Sequence, residues 1–237
     1  MHVPDGFLDA PTSLATGAIA VVGVAVALRG ARKELDDRTA PMAGLVATFV
    51  FAGQMMNFPV AAGTSGHLLG GALAAVLVGP WTAVLCVSVV LLVQALFMAD
   101  GGITAIGTNI TLMALIGVGV GWLVFVAART VLPTRLASVG PAAAIAGFVS
   151  VPVAAVAFSL LFAVGGTAPL DLSTVLTAMV SWHLVIGVGE ALITGLVVAS
   201  VTAVRPDLVY GARPALEVRE LVIRPGVQSG DQTRDAA

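Results

Sequence analysis

Long apolar runs dominate this sequence and restrict it to one class of fold. Runs that approach or exceed about 18 apolar residues recur from near residue 10 to residue 204, and such runs are typical of membrane-spanning helices. Only 10% of the 237 residues are charged, whereas a soluble domain carries about 25%. The sequence therefore predicts an all-α, polytopic membrane protein rather than a soluble globular domain.

Seven membrane-spanning helices are predicted from these runs, within a membrane domain that covers residues 1–204. The third run is short, so we expect a helix that is tilted, broken or partly buried in protein. Residues 205–237 are polar and contain proline and glycine, which predicts a cytoplasmic tail that is disordered from about residue 211. The predicted spans are 11–28, 41–57, 67–79, 81–98, 104–128, 140–164 and 173–204.

All eleven lysine and arginine residues fit on one side of such a bundle. Four lie between residues 29 and 38, two between 129 and 139, and five after Val204. Because basic residues are enriched in cytoplasmic loops, seven crossings with the N-terminus outside and the C-terminus in the cytoplasm are predicted. The three remaining loops would lie outside and carry no basic residue, at 57–66, 99–103 and 165–172.

The N-terminus is expected to be retained rather than cleaved. The first nine residues contain Asp5 and Asp9 but no lysine or arginine, which is the opposite of the basic start of a signal peptide. Methionine aminopeptidases require a small second residue, so Met1 before His2 is also expected to remain. The chain should therefore present a free α-amine outside the membrane.

Met1 and His2 form a potential chelating group at this outer end. The α-amine of Met1, the deprotonated amide of His2 and the His2 imidazole close fused chelate rings and offer three nitrogens in one plane. A fourth nitrogen would complete a square-planar set, a geometry associated with Ni(II) or Cu(II). His67 is the natural candidate, because it follows Gly63–Gly66 at the predicted outer start of the third span.

Each of these histidines also has a plainer interpretation. His2 alone could be a solvated terminal residue, and His67 alone could be a polar cap at a helix start that bonds to loop backbone. However, the chain contains only three histidines, and the charge distribution independently places these two on the same side. That coincidence moves the interpretation toward a shared metal site.

Other polar residues are candidates for a supporting role. His183 and Glu190 are seven residues apart in the last span and share one helix face. Ionisable groups in a membrane usually face the bundle interior and are paired. This pair could orient the metal-binding loop, brace the bundle or bind the ion directly, and support is favoured. Asn57, Ser65 and Asp100 are further supporting candidates, although Asp100 could equally attract ions or simply form a turn.

Small and polar residues inside the spans have structural interpretations. Gln94, Thr108 and Asn109 are expected to satisfy the backbone where helices are broken. Glycines in a membrane bundle let helices approach closely, which is expected at Gly17, Gly23, Gly70, Gly71, Gly117, Gly119 and Gly121.

The sequence lacks the usual motifs of energy-using enzymes. Its one lysine, Lys33, lies in a charged hairpin, whereas a Walker A motif places its lysine on the nucleotide phosphates. No His-Glu-x-x-His helix is present, and no Ser/His/Asp arrangement stands out. The chain is therefore predicted not to be an enzyme, and the energy for moving an ion must come from partner subunits or an ion gradient.

Five distinctive motifs follow one another at Met1–Leu8, Gln54–Pro59, Gly63–Gly71, Gln94–Gly102 and Trp182–Glu190. Together they closely resemble the CbiM/NikM family, the substrate-capture membrane subunits of energy-coupling-factor cobalt and nickel transporters. The resemblance covers roughly residues 1–204 and is specific, because the motifs occur in the family's order.

This resemblance implies a seven-helix bundle with an N-terminal segment tucked into its interior. It also implies that nitrogens of Met1, His2 and His67 hold Co(II) or Ni(II) as the transported ion, with no catalytic cofactor, and that cobalt would serve cobalamin synthesis. The implied location is a bacterial cytoplasmic membrane. The implied partners are a transmembrane coupling subunit, two cytoplasmic ATPase subunits, a separate small two-helix membrane accessory subunit and membrane lipid, but no nucleic acid.

Two other functions are compatible with a polytopic chain. A secondary transporter or channel would need an ion-coupling route, with polar residues repeated in two related halves, and no such repeat is visible. An intramembrane enzyme could use His183 and Glu190 as acid and base, but it lacks a third matched group. The sequence does not separate cobalt from nickel, since planar nitrogen ligation leans to nickel while the family uses similar sites for both.

Overall fold

The computed structural model describes residues 1–35, 39–59 and 65–217, and this part of the chain is almost entirely helical. The all-α prediction is confirmed, with one two-residue antiparallel ladder between β1 (Phe58–Pro59) and β2 (Ser65–Gly66) as a minor addition. The helices are α1 (Ala10–Ala31), α2 (Ala40–Gln54), α3 (Gly71–Val78), α4 (Pro80–Phe97), α5 (Ile106–Asn109), α6 (Val118–Val131), α7 (Val139–Gly165) and α8 (Leu172–Val204).

Five helical segments of the described chain are long and apolar enough to cross a membrane. One of them is continuous from Ile106 to Val131, because a π-helical stretch, Ile110–Gly117, joins α5 to α6. The helix α2 is apolar but shorter. A polytopic membrane protein is thus confirmed, while seven crossings and an outer N-terminus stay predictions.

The third predicted span is a short helix enclosed by the protein. All 8 residues of α3 are buried, and the helix is only about 12 Å long, against about 30 Å for the hydrocarbon core of a bilayer. It begins at Gly71 rather than at residue 67 as predicted, because the chain before it is extended. Gly79, with a φ of +94°, then turns the chain directly into α4.

Glu34, which lies in the charged segment after α1, stabilises this turn. Its carboxylate accepts hydrogen bonds from the backbone N–H groups of Trp81 at 3.2 Å and Thr82 at 2.7 Å, which belong to the unpaired donors at the start of α4. A negative charge at this end of a helix is also favoured by the helix dipole. A Cβ at Gly79 would lie 2.6 Å from the Glu34 carboxyl carbon, so the turn requires glycine.

Small residues allow several helix pairs to pack closely. A Cβ added to Gly107 of α5 would lie 2.4 Å from the Cα of Gly17 in α1, and one added to Gly121 of α6 would lie 2.9 Å from the Cα of Ala72 in α3. At Gly119, by contrast, no atom of the described residues lies within 4 Å of an added Cβ. The predicted packing role therefore fits Gly121 but not Gly119, while at Gly17 an added Cβ meets nothing within 4 Å and the close contact comes from Gly107.

The chain stays ordered for some distance beyond the last span. Ala212 is buried, and the ring of Tyr210 lies 5.6 Å from the ring of Trp122 in α6. The prediction of disorder from about residue 211 is therefore wrong for residues 211–217, because the aromatic face of α6 offers them an apolar surface. The rest of the predicted disordered tail, 218–237, lies outside the described residues.

We expect Gly107→Ala to lower the free energy of unfolding by about 1–3 kcal/mol, the usual cost of overpacking. The added methyl group would meet the backbone of α1, which cannot move aside like the end of a side chain. Gly119→Ala is the matched control, since its methyl group would enter open space. Thermal unfolding in detergent would compare the two variants, and equal melting temperatures would contradict the close contact between α1 and α5.

Candidate metal centre

The first nine residues enter the helical bundle instead of extending away from it. Met1 and Val3 are fully buried, and His2 is only 5% exposed. The segment is not helical, so its backbone N–H and C=O groups need partners from elsewhere in the protein. The residues that supply those partners determine where the N-terminus lies.

Asn109, at the end of α5, provides the main attachment for this segment. Its side-chain oxygen accepts a hydrogen bond from the N–H of Val3 at 2.7 Å, and its side-chain nitrogen donates one to the carbonyl of Val3 at 3.1 Å. The same carbonyl also accepts a hydrogen bond from the N–H of Gly102 at 2.9 Å. Asn109 therefore bonds to both backbone groups of Val3, as a neighbouring β-strand would. This holds Met1 and His2 inside the bundle.

The rest of the segment is attached to the loop between α4 and α5 and to the end of α7. The carboxylate of Asp5 accepts a hydrogen bond from the N–H of Thr104 at 2.7 Å. The N–H of Asp9 donates to the carbonyl of Gly165 at 2.7 Å, while its carboxylate caps α1 by accepting from the N–H of Thr12 at 2.9 Å. The segment is thus fixed at both ends and in the middle.

The buried α-amine of Met1 is a neutral nitrogen. Burial lowers its pKa from 8.0 to about 4, and the opposing effect of the Asp100 carboxylate is smaller. At neutral pH the amine therefore lacks its extra proton and has a lone pair available. A protonated amine could not bind a metal ion, so this burial prepares the nitrogen for ligation.

The His2 ring is held in a defined position beside this amine. One ring nitrogen, Nε2, lies 3.2 Å from the side-chain oxygen of Gln94 and donates a hydrogen bond to it. The proton on Nε2 leaves a lone pair on Nδ1. Nδ1 is the nitrogen that can close a six-membered chelate ring with the amide nitrogen of the same residue. It lies 3.1 Å from an oxygen of Asp100, a contact through which each group affects the pKa of the other.

His67 presents a second free imidazole nitrogen. Its Nδ1 donates to the carbonyl of Leu68 at 2.7 Å, so the lone pair is on Nε2, which is buried and has no hydrogen-bond partner among the described residues. The ring stacks on that of His2, with centroids 4.4 Å apart and an angle of 29° between the planes. His67 does not cap a helix, because α3 begins four residues later.

Both imidazoles are neutral, with an anionic group beside them. Burial lowers the pKa of His2, which the neighbouring Asp100 only partly offsets. Burial also lowers the pKa of His67 well below its ordinary value, and the Met1 amine and His2 lower it further. Burial raises the pKa of Asp100, but His2 and a hydrogen bond from Asn57 outweigh it and keep the carboxylate ionised. The site thus combines neutral nitrogen donors with one negative charge, which suits a cation.

The chain after His67 is held by Glu190 of α8 and Gln54 of α2. The two carboxylate oxygens of Glu190 accept hydrogen bonds from the N–H groups of Leu69 at 2.9 Å and Gly70 at 2.7 Å. The Gln54 side chain donates to the carbonyl of Leu69 at 2.7 Å. Because these contacts come from two different helices, the position of His67 depends on the bundle as a whole.

The remaining predicted site residues occupy different positions. Asn57 is exposed beside the site, and its side-chain nitrogen donates a hydrogen bond to the Asp100 carboxylate at 2.6 Å. The backbone of Ser65 pairs with Pro59 in the short ladder, and nothing in the described side chains tests its predicted supporting role. His183 is fully buried in α8, and its Nδ1 donates to the carbonyl of Met179 at 2.7 Å.

Side chains alone do not make a metal site here. In the ranges 1–35, 39–59 and 65–217, no three His, Cys, Asp or Glu side chains form a metal-binding group. A site therefore needs main-chain nitrogens of the first two residues beside the imidazoles. Gln54, Gln94 and Asn109 position these groups, and of the three only Gln94 and Asn109 were predicted to be polar partners inside the bundle. A buried amide side chain inside an apolar run is the signal that could have identified them.

A membrane bundle that buries a terminal amine beside two imidazoles defines a class: polytopic membrane proteins that handle transition-metal ions. Comparison with known proteins agrees. Residues 2–208 match the CbiM family model, described as the cobalt uptake substrate-specific transmembrane region. The chain therefore belongs to the CbiM family, whose members transport cobalt or nickel.

Relatives and solved structures support this assignment over nearly the whole membrane domain. A putative metal transport protein of Haloquadratum walsbyi is 38% identical over 210 residues, which are 89% of this chain and 94% of that protein. The cobalt transport protein CbiM of Sorangium cellulosum is 35% identical and covers 88% of this chain and 94% of its own length. A putative fused nickel transport protein NikMN of Archaeoglobus fulgidus is 38% identical, with 88% and 68% covered. A crystal structure of a transition metal transporter has a TM-score of 0.80 at 32% identity, with 86% and 93% covered.

The Met1 amine should resist acylation in the folded protein, although a neutral amine is normally reactive. The reason is burial, since Met1 has no exposed surface. Lys33, the one lysine, is exposed and serves as an internal control. After treatment with a succinimidyl ester, mass spectrometry should find Lys33 modified and Met1 unmodified, and denaturation should expose both. Equal modification of the two amines in the folded protein would show that the N-terminus is not inserted.

Proposed function

We propose that this chain captures Co(II) or Ni(II) at the outer face of the cytoplasmic membrane and delivers the ion for high-affinity uptake. The observation that supports this most strongly is a set of nitrogens with free lone pairs: the Met1 amine, Nδ1 of His2 and Nε2 of His67. The stacked imidazoles lie close enough for one ion to reach both. Nitrogen donors of this type suit cobalt and nickel.

Capture begins at the mouth of the site, where the ionised Asp100 attracts the cation. The ion exchanges its water for the amine and the two imidazoles. The amide nitrogen of His2 loses its proton to the solvent and becomes the remaining ligand. The binding of the metal ion is therefore linked to proton release. Asn57 holds Asp100, while Glu190 and Gln54 hold the chain beside His67.

Release to the cytoplasm requires energy that this chain does not generate by the Walker A mechanism. The proposed partners are a transmembrane coupling subunit, two cytoplasmic ATPase subunits and a separate small accessory membrane subunit. In this scheme, ATP-driven rearrangement of the partners reorients the subunit and opens the site inward. The cytoplasmic basic loops and helix faces rich in small residues would contact the coupling subunit. Cobalt delivered in this way would serve cobalamin synthesis.

Adding one residue before Met1 should abolish high-affinity binding of Co(II) and Ni(II). The extension converts the α-amine into an amide and moves the new terminus away from the imidazoles. One residue added after Ala237 is the matched control and should leave binding intact. Titration calorimetry on the purified proteins would compare them. Unchanged affinity in the N-terminally extended protein would show that the proposed ligand set is wrong.

Vesicles that contain this chain alone should bind metal but not accumulate it, with or without ATP. Accumulation should appear when the coupling subunit and ATPases are reconstituted with it, because only they would supply the energy. Uptake of radioactive cobalt or nickel would measure the difference. Accumulation by the chain alone would instead support a secondary transporter or channel.

The enzyme alternative has less support from the site. Both carboxylate oxygens of Glu190 already accept hydrogen bonds from backbone N–H groups of Leu69 and Gly70. The carboxylate is therefore occupied in holding the chain and is poorly placed to act as a base beside His183. Relatives named as transport proteins agree with a transport role for the family.

A further inference from the structure

A groove runs between the last turns of α6 and the chain that follows α8. Its volume is about 410 Å³, within the range of roughly 300–1,000 Å³ that is usual for small-molecule sites. The groove opens to the surface of the bundle, because Val126 and Thr130 on one side and Pro214 on the other are exposed. The residues that give the groove its chemical character are aromatic or basic: Trp122, Phe125, Arg129, Tyr210 and Arg213.

This groove lies at the opposite end of the bundle from the candidate metal centre. Asn109, which holds the N-terminal segment, and Arg129, which lines the groove, belong to one continuous helical segment, Ile106–Val131. The helix rises about 30 Å from Asn109 to Arg129, which is the thickness of the hydrocarbon core of a bilayer. The groove therefore lies at a membrane surface, on the side that the distribution of basic residues predicts to be cytoplasmic.

The character of the groove changes along α6 from apolar to basic. Trp122 and Phe125, with ring centroids 5.5 Å apart, lie one to two helical turns closer to the membrane interior than Arg129. Tyr210 lies against Trp122, with ring centroids 5.6 Å apart, and the guanidinium of Arg213 is 4.6 Å from the Tyr210 ring. An apolar wall on the membrane side, followed by two positive charges at the surface, suits a molecule with an apolar chain and an anionic headgroup.

Both arginines of the groove are available to bind an anion. Neither forms an ion pair within the described residues, and Asp207 pairs instead with Arg205 at 2.8 Å. The Nη1 group of Arg129 donates to the carbonyls of Pro133 at 3.3 Å and Arg135 at 3.2 Å, which holds the side chain in place. Its Nε and Nη2 groups have no acceptor in the described part of the chain, and such free N–H groups of a guanidinium are well suited to phosphate oxygens.

We infer that this groove binds an anionic phospholipid of the cytoplasmic leaflet, with the phosphate at Arg129 and Arg213 and an acyl chain along Trp122 and Val126. Anionic lipids give the cytoplasmic leaflet its negative surface potential, and basic pockets between membrane helices bind their headgroups. A lipid fits better than a soluble phosphate, because the aromatic wall continues toward the hydrocarbon. The inference goes beyond the proposed function and does not depend on the metal ligands.

A bound lipid would connect two parts of the fold. Arg129 belongs to α6, whereas Arg213 belongs to the segment after α8, so one phosphate that contacts both would hold the two elements together. Because a ligand that binds only the folded state stabilises it, an anionic phospholipid should raise the melting temperature of the protein. A zwitterionic phospholipid should raise it less.

Native mass spectrometry of the full chain in detergent measures the binding directly. The probes are dioleoylphosphatidylglycerol, dioleoylphosphatidylcholine and glycerol phosphate. We expect one phosphatidylglycerol molecule to remain bound at concentrations where phosphatidylcholine does not. Glycerol phosphate carries the charge without an acyl chain and should not displace the lipid. Equal binding of the two lipids, or displacement by glycerol phosphate, would overturn the inference.

Thr130→Glu and Thr130→Gln form a matched pair, because both lengthen an exposed side chain at the groove and only the first adds a negative charge. Phosphatidylglycerol affinity should be about ten-fold or more lower in Thr130→Glu, since like charges placed together are strongly unfavourable. Similar melting temperatures without lipid would show that both variants fold. Equal phosphatidylglycerol affinity of the two variants would contradict the site.

Arg213→Gln tests the positive charge itself, with Arg32→Gln as its control. Arg32 is exposed on the same predicted side of the membrane but outside the groove. Arg213→Gln should lose about ten-fold in phosphatidylglycerol affinity, the usual order for a hydrogen bond to a charged group, and most of the stabilisation by lipid. Arg32→Gln should keep both. If Arg213→Gln keeps lipid binding but no longer co-purifies with the coupling subunit, the groove binds a protein and the lipid assignment is wrong.

Discussion

A chain that enters a membrane bundle without forming a helix must find a hydrogen-bond partner for each buried backbone group. The side chain of Asn109 meets this requirement for Val3, because one amide group pairs with both the N–H and the carbonyl. Gly102 and Gly165 supply further backbone partners along the same segment. The position of the α-amine, and with it the whole candidate site, depends on these few contacts, because the segment has no helical hydrogen bonds of its own.

Burial has a second effect, since it gives the site its chemical character. Removing an amine and two imidazoles from water penalises their charged forms, and the site accordingly has neutral nitrogens. Hydrogen bonds to Gln94 and to the carbonyl of Leu68 then decide which nitrogen of each ring carries the proton. The α-amine, which would be mostly protonated in water at neutral pH, is thereby converted into a donor, while Asp100 keeps a negative charge beside the site.

Much of this arrangement could be predicted from sequence because it follows from local or one-dimensional signals. Apolar run length predicts the five long helices, and the distribution of basic residues predicts that His2 and His67 lie together, as their stacked rings do. The enclosed position of α3 could not be read in this way, because a run of apolar residues has the same composition in lipid and in protein. The particular partners of Gln94 and Asn109 could not be predicted either, since Asn109 bonds to the backbone of a residue 106 positions away. Packing of the tail on α6 depends on tertiary structure for the same reason.

The buried α-amine links this site to the way translation starts. Where protein synthesis begins with formylmethionine, the amine exists only after a deformylase has acted on the nascent chain. A formyl group left in place would turn that nitrogen into a poor donor and would need room in a cavity that already encloses Met1 completely. With the proposed ligand set, metal binding by this protein would then depend on an enzyme that acts on the nascent chain.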